Sequence, residues 1–243
     1  MPVTINGTTG ITTPALVNGT ALAFRNKIIN GNFGINQRAY VSGTATSGAN
    51  QYTLDRWRVV TSGQNLTFSA SGTGNIVTAP AGGIEQVIEA LNIEGGTYTL
   101  SWTGTATGAV NGTTIVNGGQ VTLPANTNAT IKFSSGTVSL VQLEAGSVAT
   151  PFENRPIGTE LALCQRYYEI GYIESYVAVV GIGQVNATNS YKVTKRAIPT
   201  VILSGTPAGI TTSSVGANIH TVYVSAGGTG AYVAATYTAS AEL

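Results

Sequence analysis

The chain is 243 residues long, carries 11 Lys and Arg against 10 Asp and Glu, and has a net charge of +1. Charged residues are 9% of the total and hydrophobic ones 42%, so a core can form while no basic stripe exists to track phosphates; disorder and nucleic-acid binding are both disfavoured. A single Cys, His and Asp exclude an internal disulfide, a zinc cluster and an Asp-rich calcium loop, and neither a metal nor a cofactor is expected.

Residues 1–25 are rich in Thr, Gly and Asn, with no charge before Arg25. Asn6-Gly7 and Asn18-Gly19 are hairpin signals. A segment this small cannot bury its own core, so it reads as an N-terminal attachment arm that orders against another chain. No basic stretch followed by an apolar run marks a signal peptide. No segment approaches the roughly 18 apolar residues of a membrane span.

Residues 26–155 alternate in the strand period: Leu66 and Phe68; Tyr98, Leu100 and Trp102; Ile131 and Phe133; Val138 and Leu140. Turn clusters such as Ser71-Gly72-Thr73-Gly74 separate them, a spacing that predicts a sandwich or jelly roll. Trp102 shares a strand face with Leu100 and Tyr98, and both it and Trp57 are assigned to the core. Residues 59–84 and 95–131 are uncharged. Uncharged sheet surfaces associate unless covered, so an oligomer is expected.

Residues 156–169 form the one predicted helix, a linker with Thr159 as cap and Glu160 in the first turn. Leu161, Cys164 and Tyr168 fall on one face, and Cys164 reads as a buried thiol. Residues 170–243 return to strands at Tyr176–Val180, Tyr191–Val193, Val201–Leu203, Val222–Val224 and Ala231–Tyr237. Between Ala197 and Ala241 His220 is the lone group titrating near neutrality. The cluster Lys192, Lys195 and Arg196 reads as a solvated edge. A core this small gains from oligomerisation. The fold class is therefore all-β: a jelly-roll β-sandwich, a short helix, and a smaller β-sandwich module.

The ten carboxylates give two sequence-local pairs, Glu85/Glu89 and Glu169/Glu174. Glu85 and Glu89 flank an apolar run and read as a solvated face, so the facing carboxylates of glycosidic hydrolysis are not evident and no enzyme is expected. Tyr40, Tyr52, Tyr223, Tyr232 and Tyr237 lie beside Gly/Ser/Thr-rich turns and are the candidates for exposed contacts to sugar rings.

Asn30-Gly31-Asn32-Phe33-Gly34-Ile35-Asn36-Gln37-Arg38, Tyr52-Thr53-Leu54-Asp55-Arg56-Trp57, Ile84–Ile88, Gly96–Trp102 and Val138–Glu144 together resemble the jelly-roll carbohydrate-binding modules of glycosidases and of phage tail proteins. Thr150-Pro151-Phe152-Glu153-Asn154-Arg155-Pro156, Cys164-Gln165-Arg166-Tyr167-Tyr168 and Lys195–Val201 with a closing Ala-Glu-Leu resemble the phage form. The resemblance implies a non-enzymatic virion protein on the tail or capsid surface of a tailed phage. Its foremost form is a homotrimeric tail fibre or adhesin, docked to other virion proteins by its N-terminal arm and touching host surface polysaccharide. A capsid decoration or head-fibre protein without a ligand is the alternative, and a glycan depolymerase is the third reading. Nucleic acid and membrane insertion are not expected.

Overall fold

The computed structural model describes residues 4–6, 10–12, 24–177, 185–205, 210–224 and 231–243. It divides into two compact units, one of Met1–Asn36 and Tyr40–Arg155, the other of Gln37–Ala39 and Pro156–Leu243.

The first unit opens with β1 (Thr4–Asn6), paired antiparallel to β2 (Gly10–Thr12). Asn18-Gly19 lies outside the described residues. Eleven strands follow: β3 (Gln51–Tyr52), β4 (Arg58–Val59), β5 (Thr67–Ser71), β6 (Gly74–Ala79), β7 (Ile84–Ile88), β8 (Gly96–Thr103), β9 (Thr107–Val110), β10 (Thr113–Ile115), β11 (Gly119–Leu123), β12 (Ala129–Ser134) and β13 (Gly136–Ala145). They build a six-stranded sheet ordered β10-β9-β12-β7-β4-β3 and a five-stranded sheet ordered β11-β8-β13-β6-β5. From β6 onward the chain crosses from one sheet to the other at each connection except the β9-β10 hairpin, much as a jelly roll does. Inward residues of both sheets share one core: Val59, Ile84, Ile131 and Phe133 from one, Val77, Tyr98, Leu100 and Val138 from the other. Trp57 and Trp102 belong to it as expected. Trp102 meets Phe133 edge-on at 5.2 Å, and Phe133 lies 6.2 Å from Trp57. A large apolar side chain buried this completely contributes about 1.5–3 kcal/mol.

One asparagine organises the entry to this core. Asn30 is fully buried at φ 57°, a left-handed conformation that Asn tolerates. Its amide exchanges hydrogen bonds with the backbone of Ile35, Nδ2 donating at 2.9 Å and Oδ1 accepting at 2.9 Å, and Nδ2 also donates to Asp55 O at 3.0 Å. Its own carbonyl accepts Trp57 Nε1–H at 3.0 Å. Gly31 comes next because a Cβ there would lie 2.3 Å from Val141 O. On the facing strand, β13 shifts register between Ser139 and Gln142, with Leu140 at φ 50°. That bulge frees Val141 N–H to donate to Gly31 O at 2.8 Å.

The second unit begins with α1 (Ile157–Gln165), followed by β14 (Tyr168–Val177), β15 (Val185–Ser190), β16 (Thr200–Ser204), β17 (Ile210–Val215), β18 (Ile219–Val224) and β19 (Ala231–Ser240). Two three-stranded antiparallel sheets, β14-β19-β16 and β15-β18-β17, form a smaller sandwich. Ile173, Ala187, Tyr191, Val222, Ala235, Tyr237 and Ala239 are its core. The helix starts at Pro156 with no side-chain cap, so Thr159 lies inside the first turn rather than before it. The fixed φ of proline sets the entry conformation without a capping hydroxyl. The helix stops at Gln165, and Tyr168 is the first residue of β14 rather than part of a helical face. Cys164 is buried. The expected strand at Tyr191–Val193 is also displaced: β15 ends at Ser190, and Tyr191 leaves the ladder to turn its ring into the core.

Candidate functional site

Strand parity in β14 places Glu169 and Ile173 on the inward face, and both are buried. A carboxylate in a core must be paired and hydrogen-bonded, and the fold supplies partners from three directions. Lys195 Nζ lies 2.7 Å from Glu169 Oε2, with both side chains completely shielded from solvent. Tyr237, on the neighbouring strand β19, donates its hydroxyl to Glu169 Oε1 at 2.6 Å, and Asn189 Nδ2 donates to that hydroxyl at 2.8 Å. Lys192 N–H donates to Oε2 at 3.1 Å. Lys195 Nζ also donates to Gln165 O. Gly171, opposite Tyr237 in the ladder, makes room for the phenol: a Cβ there would lie 2.4 Å from its oxygen.

His220 completes the cluster. It sits on β18, the central strand of its sheet, opposite Asn189 and Val215, and is 0% exposed. Its ring stacks on Tyr191 at 5.2 Å and meets Tyr237 edge-on at 4.4 Å. Neither ring nitrogen, nor the Tyr191 hydroxyl, has a hydrogen-bond partner among the described residues. Burial pushes the imidazole below its ordinary value, opposed by the negative charge of Glu169. Burial likewise lowers the Lys195 ammonium against the attraction of Glu169. Burial, then the charge of Glu169, pushes the Tyr191 phenol up to about 12. Tyr237 is raised further by burial and by donating to that carboxylate.

Two sequence expectations are corrected here. Lys195 is no solvated edge residue, because the charge of Glu169 lies inside the sandwich and draws the ammonium in. Its neighbour Arg196 turns the other way, Nε donating to Ala241 O at 2.6 Å and Nη2 to Glu242 O at 3.0 Å. In the first unit Glu85 is not on a solvated face: it is buried opposite Arg58, whose Nε donates to Oε1 at 2.8 Å.

The five candidate tyrosines do not form a single group. Tyr40 is half-buried against Phe68, its hydroxyl 2.6 Å from Thr44 O and 3.1 Å from Leu66 O. Tyr52 is half-buried on β3, with the Arg58 guanidinium 5.9 Å from its ring centre. Tyr223 is half-buried on β18. The side chain of Tyr232 lies outside the described residues. Tyr237 is 2% exposed and committed to Glu169, so it is not a surface contact; its parity with Ala235 and Ala239 carries it inward. Parity was also the signal available for Glu169, which reasoning from local charge missed.

No protein-family model, curated protein or solved structure matches the chain. Among the described residues no group of three or more His, Cys, Asp or Glu side chains could hold a metal, and no helix is long and apolar enough to cross a membrane. The Glu169 cluster can hold protons and charge in a closed interior. Its arrangement is that of a polar core fastening two sheets.

Proposed function

We propose that this chain is a structural virion protein of a tailed phage, a homotrimeric tail fibre or adhesin whose sandwiches are scaffolds for contact with host surface glycans. The observation that carries this reading is that the motifs behind the phage resemblance work as internal fasteners, one set within each unit. In Thr150–Pro156, Glu153 accepts the backbone N–H of Phe24 and, at 2.9 Å, of Asn26. Arg155 donates to the carbonyls of Asn26 and, at 3.1 Å, Ile28. Thr150 N–H donates to Glu144 at 2.7 Å. In the second unit Lys195 and Arg196 tie Gln165, Arg166 and the Ala241–Glu242 end to one another. Both sets of contacts are internal, which suits a rigid scaffold. The carboxylates of Glu85, Glu144, Glu169 and Glu242 each lie against a cation, which supports a structural use of the scarce charge. Tyr40 and Tyr52 remain the candidate sugar contacts of the first unit.

A ligand-free decoration protein is favoured by one surface. On the outer face of β14-β19-β16, Ile170 and Ile202 flank Thr238 in one cross-strand row, with Tyr172 in the next. Ile170, Tyr172 and Ile202 are 40%, 56% and 62% exposed, an apolar patch bordered on β14 by the exposed Glu174 and of the kind that neighbouring subunits cover.

Antibody labelling of phage particles under the electron microscope, with a glycan array probed by the assembled recombinant chain, separates these readings. Tail labelling with glycan binding supports the adhesin. Capsid labelling with a silent array supports the decoration protein. Particles that never carry the chain overturn both.

A further inference from the structure

We propose that His220 is a proton-sensitive latch: the second unit closes around a neutral imidazole, and acidification releases β18 from the sandwich while the first unit stays folded. The ring is fully buried between Tyr191 and Tyr237, and its nitrogens find no acceptor among the described residues. A neutral imidazole tolerates this at modest cost, whereas an imidazolium carries two donors and a full charge into the same space.

The surrounding groups leave little to receive that charge. From β14 comes Glu169, already accepting from Lys195, Tyr237 and the Lys192 backbone. From β15 comes Asn189, whose amide donates to Tyr237. The segment after β15 brings Tyr191 and Lys195, the ammonium 4.9 Å from the Tyr191 ring centre. From the same segment, Lys192 turns its own ammonium to Ile170 O at 3.1 Å. β17 presents uncharged Val215 and β19 presents Tyr237. Glu169 is the one anion in this set, and it is balanced by Lys195. A second cation therefore leaves the cluster net positive in a low-dielectric interior. The imidazolium reaches water only if β18 moves, and β18 is the strand that both β15 and β17 pair with.

The sign follows from linkage. A base whose folded value is depressed binds its proton in the open state first, so stability is complete above the ordinary histidine range of about 6.5 and falls as pH drops through it. One proton taken up on opening makes the opening equilibrium rise by at most about tenfold per pH unit.

The chain is well suited to the test. It has one histidine, and both tryptophans, Trp57 and Trp102, lie in the first unit. Amide hydrogen exchange of the full chain, corrected for intrinsic rate, is followed from about pH 7.5 to about pH 5 beside the single set of imidazole NMR resonances. The expected result is loss of protection in β15, β18 and β19, approaching tenfold per pH unit. It should begin below about pH 6.5 while the imidazole resonances stay those of the neutral ring until the open state is populated, and tryptophan emission should stay constant. His220→Phe keeps the aromatic stack and should flatten the dependence. An imidazole that titrates near pH 6.5 with protection unchanged overturns the latch, and so does a folded His220→Phe variant with the same acid transition. Should His220→Phe fail to fold, the wild-type exchange data still decide: protection that does not fall between about pH 6.5 and about pH 5 overturns the latch.

Discussion

Lys195 and Glu169 form an ion pair 2.7 Å long with neither side chain touching solvent, 26 residues apart in sequence. Such a pair is held by the hydrogen bonds around it, here from Tyr237 and Lys192 N–H to the carboxylate and from Nζ to Gln165 O. Removing one partner strands the other charge. Lys195→Met is therefore expected to destabilise the second unit by about 3–5 kcal/mol. The double variant Lys195→Met/Glu169→Gln should recover part of that loss, since the stranded charge is gone. Denaturant unfolding of the two single variants and the double variant measures the coupling; additive losses would mean the pair contributes no mutual energy.

Gly31→Ala tests the junction between the Asn30 hub and the β13 bulge. The new Cβ would lie 2.3 Å from Val141 O and 3.2 Å from Phe152, so the bulge or the hub must shift. A forced overlap in a packed region costs ~1–3 kcal/mol or more. Because Asn30 O accepts the indole N–H of Trp57, a hub displacement should appear as a red shift of tryptophan emission at reduced thermal stability. Unchanged emission and stability would show that the strand relaxes freely.

What the sequence revealed, and what it withheld, follows from period-two parity. Alternation at Tyr98, Leu100 and Trp102 reads directly as an inward face, and all three are buried. The same parity runs through β14 and β19, yet Glu169, Tyr237 and Lys195 resist it because a charge or a phenol is read first as surface. A buried ion pair needs both partners known together, and these come from a strand and a loop far apart in sequence. Bulges and left-handed residues break parity further: Arg56, at φ 70°, is 1% exposed and donates to Val87 O at 2.6 Å, where an extended strand would turn it outward. The candidate tyrosines scatter for a related reason, since a residue beside a turn can still point into the core.

The Thr150–Pro156 strap predicts a local rather than global lesion. Arg155 is almost wholly shielded, donates to the carbonyls of Asn26 and Ile28, and lies 3.6 Å from Glu153. Arg155→Ala leaves two backbone carbonyls and the Glu153 carboxylate short of a donor. Each buried group left so costs about 1–3 kcal/mol. Hydrogen exchange of residues 24–31 should accelerate by tenfold or more, that is by at least about 1.4 kcal/mol of local opening, before β8 or β12 is affected. Arg155→Lys should rescue little, because one ammonium cannot reproduce a fork of parallel donors. Uniform acceleration across the first unit would instead make the strap part of its global folding core.

The phenols set an alkaline limit. Burial, and then hydrogen bonding to Glu94, pushes Tyr98 up to about 12; burial and then the charge of Glu169 do the same for Tyr191. In the unfolded chain both ionise near 10. Above that pH the unfolded state has lost protons that the folded state keeps, so stability present below pH 10 falls as pH rises toward 12. The two sites part company on substitution. Tyr98 donates to Glu94 Oε2 at 2.7 Å, so Tyr98→Phe should cost about 1 kcal/mol at neutral pH. The Tyr191 hydroxyl has no hydrogen-bond partner among the described residues, so Tyr191→Phe should leave neutral stability unchanged or raise it by up to ~1 kcal/mol. It should also reduce the alkaline loss in the second unit. Unfolding free energies at neutral pH and above pH 10, read beside phenolate absorbance, decide this; a Tyr191→Phe variant clearly less stable at neutrality would show that its hydroxyl has a partner in the folded protein.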